Sequence, residues 1–474
     1  MAIKTKELLQ VSNQLNESIP ETWTTISIKD FAEIVNGGAF KSNLFNKTKG
    51  IRLVRIRDLT QKKNHTYYDG EYDKKYLIDS GDFLVGMDGD FIGTEWTSGK
   101  ALLNQRVCKI TINNDIIHPK FFRLGINMHL EKIHQATSYL TVAHLSSDTI
   151  NYIEFPLPPL NEQKRIVGKI EELFSKLSFM EITLNNIQLQ LKQYRQSLLE
   201  SAFNGNLTRN WRKEHISILE SAYDLIERIK IGSHIPINDN LPEKWASTVL
   251  KNLFEVKVGS TPSRTNSSFW NGDIPWISSG QVKNCEIYES KEKISKDGFD
   301  NSSLKIFPPE TVLLAMIGEG KTRGQVAILK ISATTNQNIA SILCADSEIL
   351  SKYIYFWFLK RYEETRKIGS GGMQKALNGQ RVKEMPLILA PIREQEQIVL
   401  HIEQNLSLLQ NTEYEVKSML NQLGVLRSTI LKQAFEGKLI PQDPNDEPAE
   451  ILLQKIKQEK QKIISQNTKT RKKK

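Results

Sequence analysis

The stretch NEQKRIVGKIEELFSKL, Asn161 to Leu177, returns as REQEQIVLHIEQNLSLL, Arg393 to Leu409. Further on, LLESAFNGNL from Leu198 returns as ILKQAFEGKL from Ile430. Both matches share one sequence offset, so about 47 residues align without a gap and roughly a third are identical. In the first copy Ile166, Ile170, Leu173, Leu177, Met180, Leu184, Ile187, Leu191, Tyr194 and Leu198 recur at alternating steps of four and three. That spacing keeps one apolar seam on one face of a helix. The second copy holds the register with Ile398, Ile402, Leu409, Val416, Met419, Leu423, Leu426 and Ile430, while Asn405 and Thr412 interrupt it. Gly205 and Gly437 follow the last periodic residues, where a helix C-cap belongs. A run of about 42 residues spans about 63 Å as helix. One such helix with a single apolar stripe is not stable alone in water. Two matching helices in one chain most simply pair as a coiled coil, the alternative being that each lies along its own globular domain.

The repeat extends outward. IPETW, Ile19 to Trp23, corresponds to LPEKW, Leu241 to Trp245, and SAYDLIERIK from Ser221 resembles PAEILLQKIK from Pro448. Between each tryptophan and the next Glu-Gln pair lie about 140 and 150 residues, the size of small domains. These two inserts resemble one another only faintly: GIRLVRIRDL from Gly50 sits where DIPWISSGQV from Asp273 sits, and Asn104-Gln105 matches Asn336-Gln337. Short β-rich runs such as DFLVGM, RVCKITI, TVLLAMI and QVAILKI are punctuated by Gly, Asn and Asp, and HPKFFRLGINMHLEKI and SKYIYFWFLKRYEETRKI are amphipathic. The expected fold class is α+β: two mixed α/β domains separated by two long helices forming a coiled coil, as an internal repeat. The expected segments are an N-terminal arm over 1–20, domains over 21–160 and 241–392, and long helices over 161–208 and 393–440. A linker with a short helix over 209–240 and a C-terminal helix with a basic tail over 441–474 complete the chain.

The chain has 474 residues and a net charge of +10, a bias toward a polyanionic partner. Cys108, Cys285 and Cys344 are far apart with no C-x-x-C spacing, which argues against a paired-cysteine zinc site and a disulfide framework and for a reducing cytoplasm. The N-terminus has no apolar signal region and no run reaches transmembrane length, so the expected location is cytoplasmic, without a membrane.

AMIGEGKTRGQVAIL, Ala315 to Leu329, fits a relaxed phosphate-loop pattern through Ala315, Gly320, Lys321 and Thr322. A working loop needs Lys and Thr at the start of a helix, so that backbone N–H groups and the helix dipole face the phosphates. Here RGQVAILKI follows and alternates like a strand, predicting a hairpin whose tip offers Lys321 and Arg323 to an anion or, more plainly, an exposed basic turn. No run resembling a Walker B motif follows. There is no H-E-x-x-H, no H-x-E and no [ND]-P-P-[YF], and Asp273, Glu289 and Lys291 mimic a nuclease pattern only loosely. No catalytic residue, metal ligand or cofactor of its own is expected.

The chain resembles the specificity subunits of type I restriction–modification systems over nearly all its length. GSTPSRTNSSFWNGDIPWISSGQV (Gly259 to Val282), PPETVLLAMIGEGKTRGQVAILKISATTNQNIASIL and GGMQKALNGQRVKEMPL resemble successive blocks of a target-recognition domain, and LNEQKRIVGKIEELF and IREQEQIVLHIEQNL resemble spacer-helix starts. The first domain departs from that pattern, offering GGAFKSNLF and GIRLVRIRDL. The resemblance implies a non-catalytic subunit that reads a bipartite double-stranded DNA target, one half per domain, with the two long helices antiparallel in a pseudo-twofold repeat that holds the halves apart. Two modification subunits would dock on the helices and carry S-adenosylmethionine and adenine-N6 chemistry. Restriction subunits, where present, would bring ATP, Mg and cleavage.

Base edges are read by Arg or Lys at guanine and Asn or Gln at adenine. The candidates in the second domain are Ser260, Ser263, Arg264, Lys283, Lys321, Arg323, Gln374, Lys375 and Asn378. In the first they are Lys41, Arg52, Arg55, Arg57, Tyr139 and Thr141. Each is equally open to reading as a surface group or phosphate contact. The recurrence of Asn104-Gln105 and Asn336-Gln337 predicts a shared turn, since residues reading different half-sites need not repeat. The rival reading from another class is a coiled-coil adaptor holding two protein-binding domains without touching DNA.

Overall fold

The computed structural model describes residues 2–16, 19–60, 65–137, 144–231, 240–318, 320–367 and 377–458. The heptads form two helices of equal length, Leu160–Phe203 and Ile392–Phe435, each of 44 residues and roughly 66 Å at 1.5 Å per residue. Their starts and ends are equivalent residues of the repeat. At each start a buried glutamine bonds back to the carbonyl ahead of the helix: Gln163 Nε2 to Pro158 O (2.9 Å) and Gln395 Nε2 to Ala390 O (2.9 Å). At each end Gly205 (φ +76°) and Gly437 (φ +69°) take the left-handed conformation that turns the chain off the helix. Asn206 N then reaches Ser201 O (2.9 Å) and Lys438 N reaches Gln433 O (2.8 Å), satisfying the last carbonyls. A side chain at either glycine would also strike the proline of the IPETW or LPEKW motif.

The chain divides into two compact units, Leu184–Ser418 and Met1–Thr183 with Met419–Lys474. In the unit Leu184–Ser418, strands Ala246–Val249 and Pro386–Leu389 pair antiparallel, so the domain is closed by its own first and last strands. Within that closure a five-stranded sheet runs in the order Val256–Val258, Ile339–Ile342, Val312–Ala315, Val326–Leu329, Cys285–Ile287. A three-stranded sheet is built on Trp270–Ile277. The helix Ser351–Lys360 carries Tyr353 and Trp357 against Phe203 at the end of the first long helix. Leu199, Ala202 and Phe203 share one core with Ile398, Val399 and Ile402, which sets the two long helices antiparallel here. Residues of the 209–240 segment join the same core: Ala222, Leu225 and Ile226 of helix Ala222–Ile229 are buried in it.

The other unit repeats this plan with different sheets. Strands Thr24–Ser27 and Glu154–Leu157 close the domain. A four-stranded sheet (Ala32–Asn36, Val107–Ile112, Phe83–Gly86, Gly93–Glu95) and a five-stranded one built on Ile51–Val54 and Ala101–Leu103 fill it. Helix Pro119–Thr137 carries Phe121 against Phe435, rings 4.7 Å apart. Ile166, Val167 and Ile170 share a core with Ala434 and Phe435, again antiparallel. The C-terminal segment contributes what 209–240 contributes to the other unit, with Ala449 and Ile456 of helix 449–458 buried. The same bond docks each: Ala222 N to Lys244 O (2.8 Å) and Ala449 N to Thr22 O (3.2 Å). Helix Ala2–Asn13 lies on helix Pro119–Thr137 through Ser12 Oγ and His129 Nδ1 (2.9 Å).

Along the long helices Ile166, Ile170, Leu177, Leu184, Leu198, Ile398, Ile402, Leu409, Val416 and Leu423 are buried, and Leu173, Leu191 and Ile430 half-buried. Met180 (48%), Tyr194 (51%), Met419 (48%) and Leu426 (45%) keep about half their surface in water, because two helices enclose one full row of the seam and only flank the other. Each buried seam residue contributes about 1.5–3 kcal/mol. Equivalent ion pairs recur: Arg195–Glu413 (3.3 Å) and Arg427–Glu181 (3.0 Å) between the helices, and Lys352–Glu403 and Lys120–Glu171 from domain to helix. The seam-breaking Asn405 accepts from Tyr194 Oη (3.2 Å), and Thr412 Oγ donates back to Leu408 O (3.0 Å).

Candidate nucleic-acid interface

Thr322 begins no helix. Strands Val312–Ala315 and Val326–Leu329 pair antiparallel, closed by Gly324 N to Ala315 O (2.8 Å) and Gln325 N to Thr322 O (3.0 Å). The phosphate-loop reading therefore lacks the helix dipole it requires. Lys321 is exposed at the tip and Arg323 half-buried beside it. Helix Tyr362–Lys367 holds this tip: Tyr362 Oη donates to Lys321 O (2.7 Å), and Arg366 Nη1 donates to that hydroxyl oxygen (2.9 Å).

Other candidates in this domain sit in built surroundings. The Arg264 guanidinium lies 3.6 Å from the Trp270 ring centroid and 5.0 Å from that of Trp276. It also makes a two-pronged pair with Glu292 (2.5 and 3.2 Å), so stacking and charge fix it together. The two indoles donate to backbone carbonyls of neighbouring candidates, Trp276 to Ser260 O and Trp270 to Ser263 O, both 3.1 Å. Ser260, Ser263 and Arg264 thus form one cluster with two tryptophans. Asn378 caps the short helix Gly379–Lys383, its Oδ1 accepting from Arg381 N (2.9 Å). Lys283 is exposed beside Asn284, whose Oδ1 accepts from Val326 N (3.0 Å) at the hairpin. Gln374 and Lys375 lie outside the described residues, as do Tyr139 and Thr141 of the first domain.

In the first domain Arg52 and Arg57 lie beside a buried acid, Asp58, whose Oδ2 accepts from the backbone N of Arg55 (2.9 Å). Asp58 is buried; burial pushes its carboxyl up, and Arg52, Arg57 and His65 pull it back down. Arg55 and Arg57 both donate to Thr66 Oγ1, and Arg52 stacks on Trp96 at 4.6 Å. These contacts hold the three arginines against the domain rather than leaving them as a free basic row. Lys41 is exposed ahead of the turn Ser42–Leu44.

The hairpin equivalent to the basic one carries acids instead. Between Phe83–Gly86 and Gly93–Glu95 its tip presents Asp88 and Asp90. Asp88 pairs with Arg106 (3.2 Å) and with His144 Nδ1 (2.6 Å). Asp88, Arg106 and His144 are not among the candidates drawn from the sequence, although Arg106 directly follows the repeated Asn-Gln pair. Among the described residues no group of three or more His, Cys, Asp or Glu is placed to hold a metal ion, and no helix is long and apolar enough to cross a membrane.

Comparison with known proteins places this architecture. Residues 20–189 and 242–418 match the family model described as the type I restriction modification DNA specificity domain. The chain is 30% identical over 477 residues to the type I restriction enzyme EcoBI specificity subunit of Escherichia coli, covering 96% of each. It is 24% identical over 481 residues to the EcoKI specificity subunit of Escherichia coli strain K12, covering 93% of this chain and 96% of that one. In fold it is similar to the HsdS subunit from Thermoanaerobacter tengcongensis, with a TM-score of 0.51 and 16% identity over 89% of this chain and 98% of that one. A chain from the structure described as the basis of complex assembly and conformational transition of the type I R-M system gives a TM-score of 0.64 at 16% identity, over 89% of this chain and 99% of that one. Two matched segments on a duplicated frame, and a relative matched from end to end, lead to one assignment: the chain belongs to the type I restriction–modification specificity-subunit family.

Proposed function

We propose that the chain is the DNA-reading, non-catalytic subunit of a cytoplasmic type I restriction–modification complex. Each domain reads one half of a bipartite double-stranded DNA target, and the long helices fix the distance between the halves. Two modification subunits dock on the helical frame and supply S-adenosylmethionine and the adenine-N6 chemistry, and restriction subunits, where present, bring ATP and Mg. The observation that carries this reading is a contrast inside the repeat. The frame recurs at equivalent positions, including the paired bonds of Gln163 and Gln395 and of Arg195 and Arg427. The exposed tips do not: one hairpin offers Lys321 and Arg323, the other Asp88 and Asp90. A frame kept constant with unlike reading surfaces suits recognition of two unlike sequences. The net charge of +10 suits a phosphate-lined partner, whose binding weakens as salt rises.

The test is to map methylated adenines across the genome of a host carrying this chain with its modification subunits, and again without the chain. The expected result is one split motif, two short sequences at a fixed gap, that disappears with the chain. A methylation pattern unaffected by removing it, or no protected bases in a footprint of the assembled complex, points instead to the adaptor reading.

A further inference from the structure

The repeated Asn-Gln pair builds a turn in each domain, and the residue after it differs. Val107 N donates to Asn104 O (2.9 Å) and Ile339 N to Asn336 O (3.3 Å), closing equivalent four-residue turns. Equivalent backbone bonds surround both turns. Gly38 N reaches Leu103 O (2.8 Å) and Ser260 N reaches Thr335 O (2.9 Å). Met87 N reaches Arg106 O (3.0 Å) and Met316 N reaches Asn338 O (2.9 Å), tying each turn to the hairpin of its own domain. A Cβ on Gly37 would sit 2.0 Å from Asn104 O, and one on Gly259 1.9 Å from Thr335 O, so both domains need glycine where the chain passes the turn. The backbone that presents Arg106 is therefore the backbone that presents Asn338.

Resting on the proposed reading of two half-sites, we infer that this turn position is a base-reading position in both domains, with Arg106 specifying a guanine in one half-site and Asn338 an adenine in the other. Arginine makes a two-pronged contact to guanine O6 and N7, asparagine to adenine N6 and N7. Arg106 is 52% exposed, and one Nη contacts Asp88 at 3.2 Å, leaving most of its five donors for a ligand. Asp88 is itself held by His144 (2.6 Å), so the guanidinium is oriented before DNA arrives. That carboxylate also offsets the charge a phosphate would seek while leaving the planar fork intact, which favours a base edge over the backbone. Asn338 stands half-buried at the turn with its own N–H donated to Asn336 Oδ1 (3.1 Å), which aims its side chain from a rigid turn. Asp88, in this account, is a positioning residue. Its equivalent in the other domain is Ile317, where a neutral asparagine needs no counter-charge.

The experiment is genome-wide adenine-methylation mapping with the assembled complex in vivo, for the wild-type chain and for Arg106→Ala, Arg106→Lys and Asn338→Ala. Arg106→Ala is expected to relax one guanine position in one half-site, with roughly a 10- to 100-fold loss of discrimination there and the other half-site unchanged. Arg106→Lys, which keeps the charge without the fork, relaxes the same position. Asn338→Ala relaxes an adenine position in the opposite half. The intact half-site in each variant reports that the chain has folded, and if Arg106→Ala abolishes methylation altogether, the lysine and Asn338 variants decide. A uniform loss of methylation with every motif position unchanged assigns a phosphate contact and overturns the inference. So does full discrimination by Arg106→Lys, or relaxation of both variants in the same half. A wild-type chain that directs no split motif would instead remove the reading of two half-sites itself, a separable result.

Discussion

Glu162 and Glu394 hold equivalent places in the repeat, both buried at the start of a long helix beside the tryptophan of the IPETW or LPEKW motif, yet their charges are balanced differently. Glu394 accepts from Thr208 Oγ1 (2.6 Å), Arg212 Nη1 (2.7 Å) and Trp245 Nε1 (2.8 Å), a complete set for a buried carboxylate. Arg165, the cation near Glu162, pairs instead with Asp446 (2.6 Å), and Glu162 Oε1 has no partner among the described residues. Burial pushes the Glu162 carboxyl above its ordinary value; Trp23 and Arg165 pull it down and Asp446 pushes it further up. Its folded-state pKa thus exceeds the unfolded one, so its contribution favours folding at low pH and is lost as pH rises through the raised value. The same substitution should act oppositely at the two sites. Glu394→Gln is expected to cost about 3 kcal/mol, because Arg212 is left buried and unpaired. Glu162→Gln should leave stability at pH 7 unchanged or raised and remove that pH dependence. Denaturant unfolding at pH 5 and pH 7 measures both, and equal losses would refute the difference drawn between the sites. Both glutamates were visible in the sequence as part of a recurring Glu-Gln pair. The partners of Glu394 were not, because Thr208, Arg212 and Trp245 reach it from 149 to 186 residues away along the chain.

Helices with a seven-residue rhythm are the elements most legible before folding, and Leu160–Phe203 and Ile392–Phe435 appear where their periodicity places them. The hairpin at Lys321 was equally readable, because alternation after Thr322 is a local property. What local pattern does not carry is the pairing of a domain's first strand with its last, such as Thr24 opposite Leu157, or the fate of arginines whose partners are remote. Arg52, Arg55 and Arg57 illustrate this: they are candidate base readers in the sequence, and Thr66 and Trp96, farther along the chain, hold them in the fold. The N-terminal helix Ala2–Asn13 is equally opaque, lying in a segment expected only as an arm. Its anchor is titratable: His129 is fully buried, burial holds its pKa down to about 4, and its Nδ1 meets Ser12 Oγ. A folded-state pKa below the unfolded value of about 6.5 means that the neutral ring favours folding at pH 7 and that this advantage fades as pH falls from about 6.5 toward 4. Between pH 7 and pH 5 the unit carrying His129 should lose about 2 kcal/mol. A His129→Gln variant should show a smaller pH-dependent loss in a chemical-denaturation series. An unchanged pH dependence would assign the effect to other groups.

At the scale of the whole molecule, the proposed function makes the duplicated frame a ruler and the domains its two reading heads. In each unit the seam and the equivalent ion pairs Arg195–Glu413 and Arg427–Glu181 tie the two helices together. A ruler of this kind reads by length. One heptad inserted after Leu184 and one after Val416 keeps the seam in register and lengthens the pair by about 10 Å, about three base pairs of duplex. Methylation mapping of a host carrying that lengthened chain with its modification subunits tests the claim directly. The account predicts that the two half-sequences persist, that the original gap is methylated at least about tenfold less, and that sites with a wider gap are gained, each base pair adding about 3.4 Å. Methylation of the original gap at an undiminished rate would contradict it.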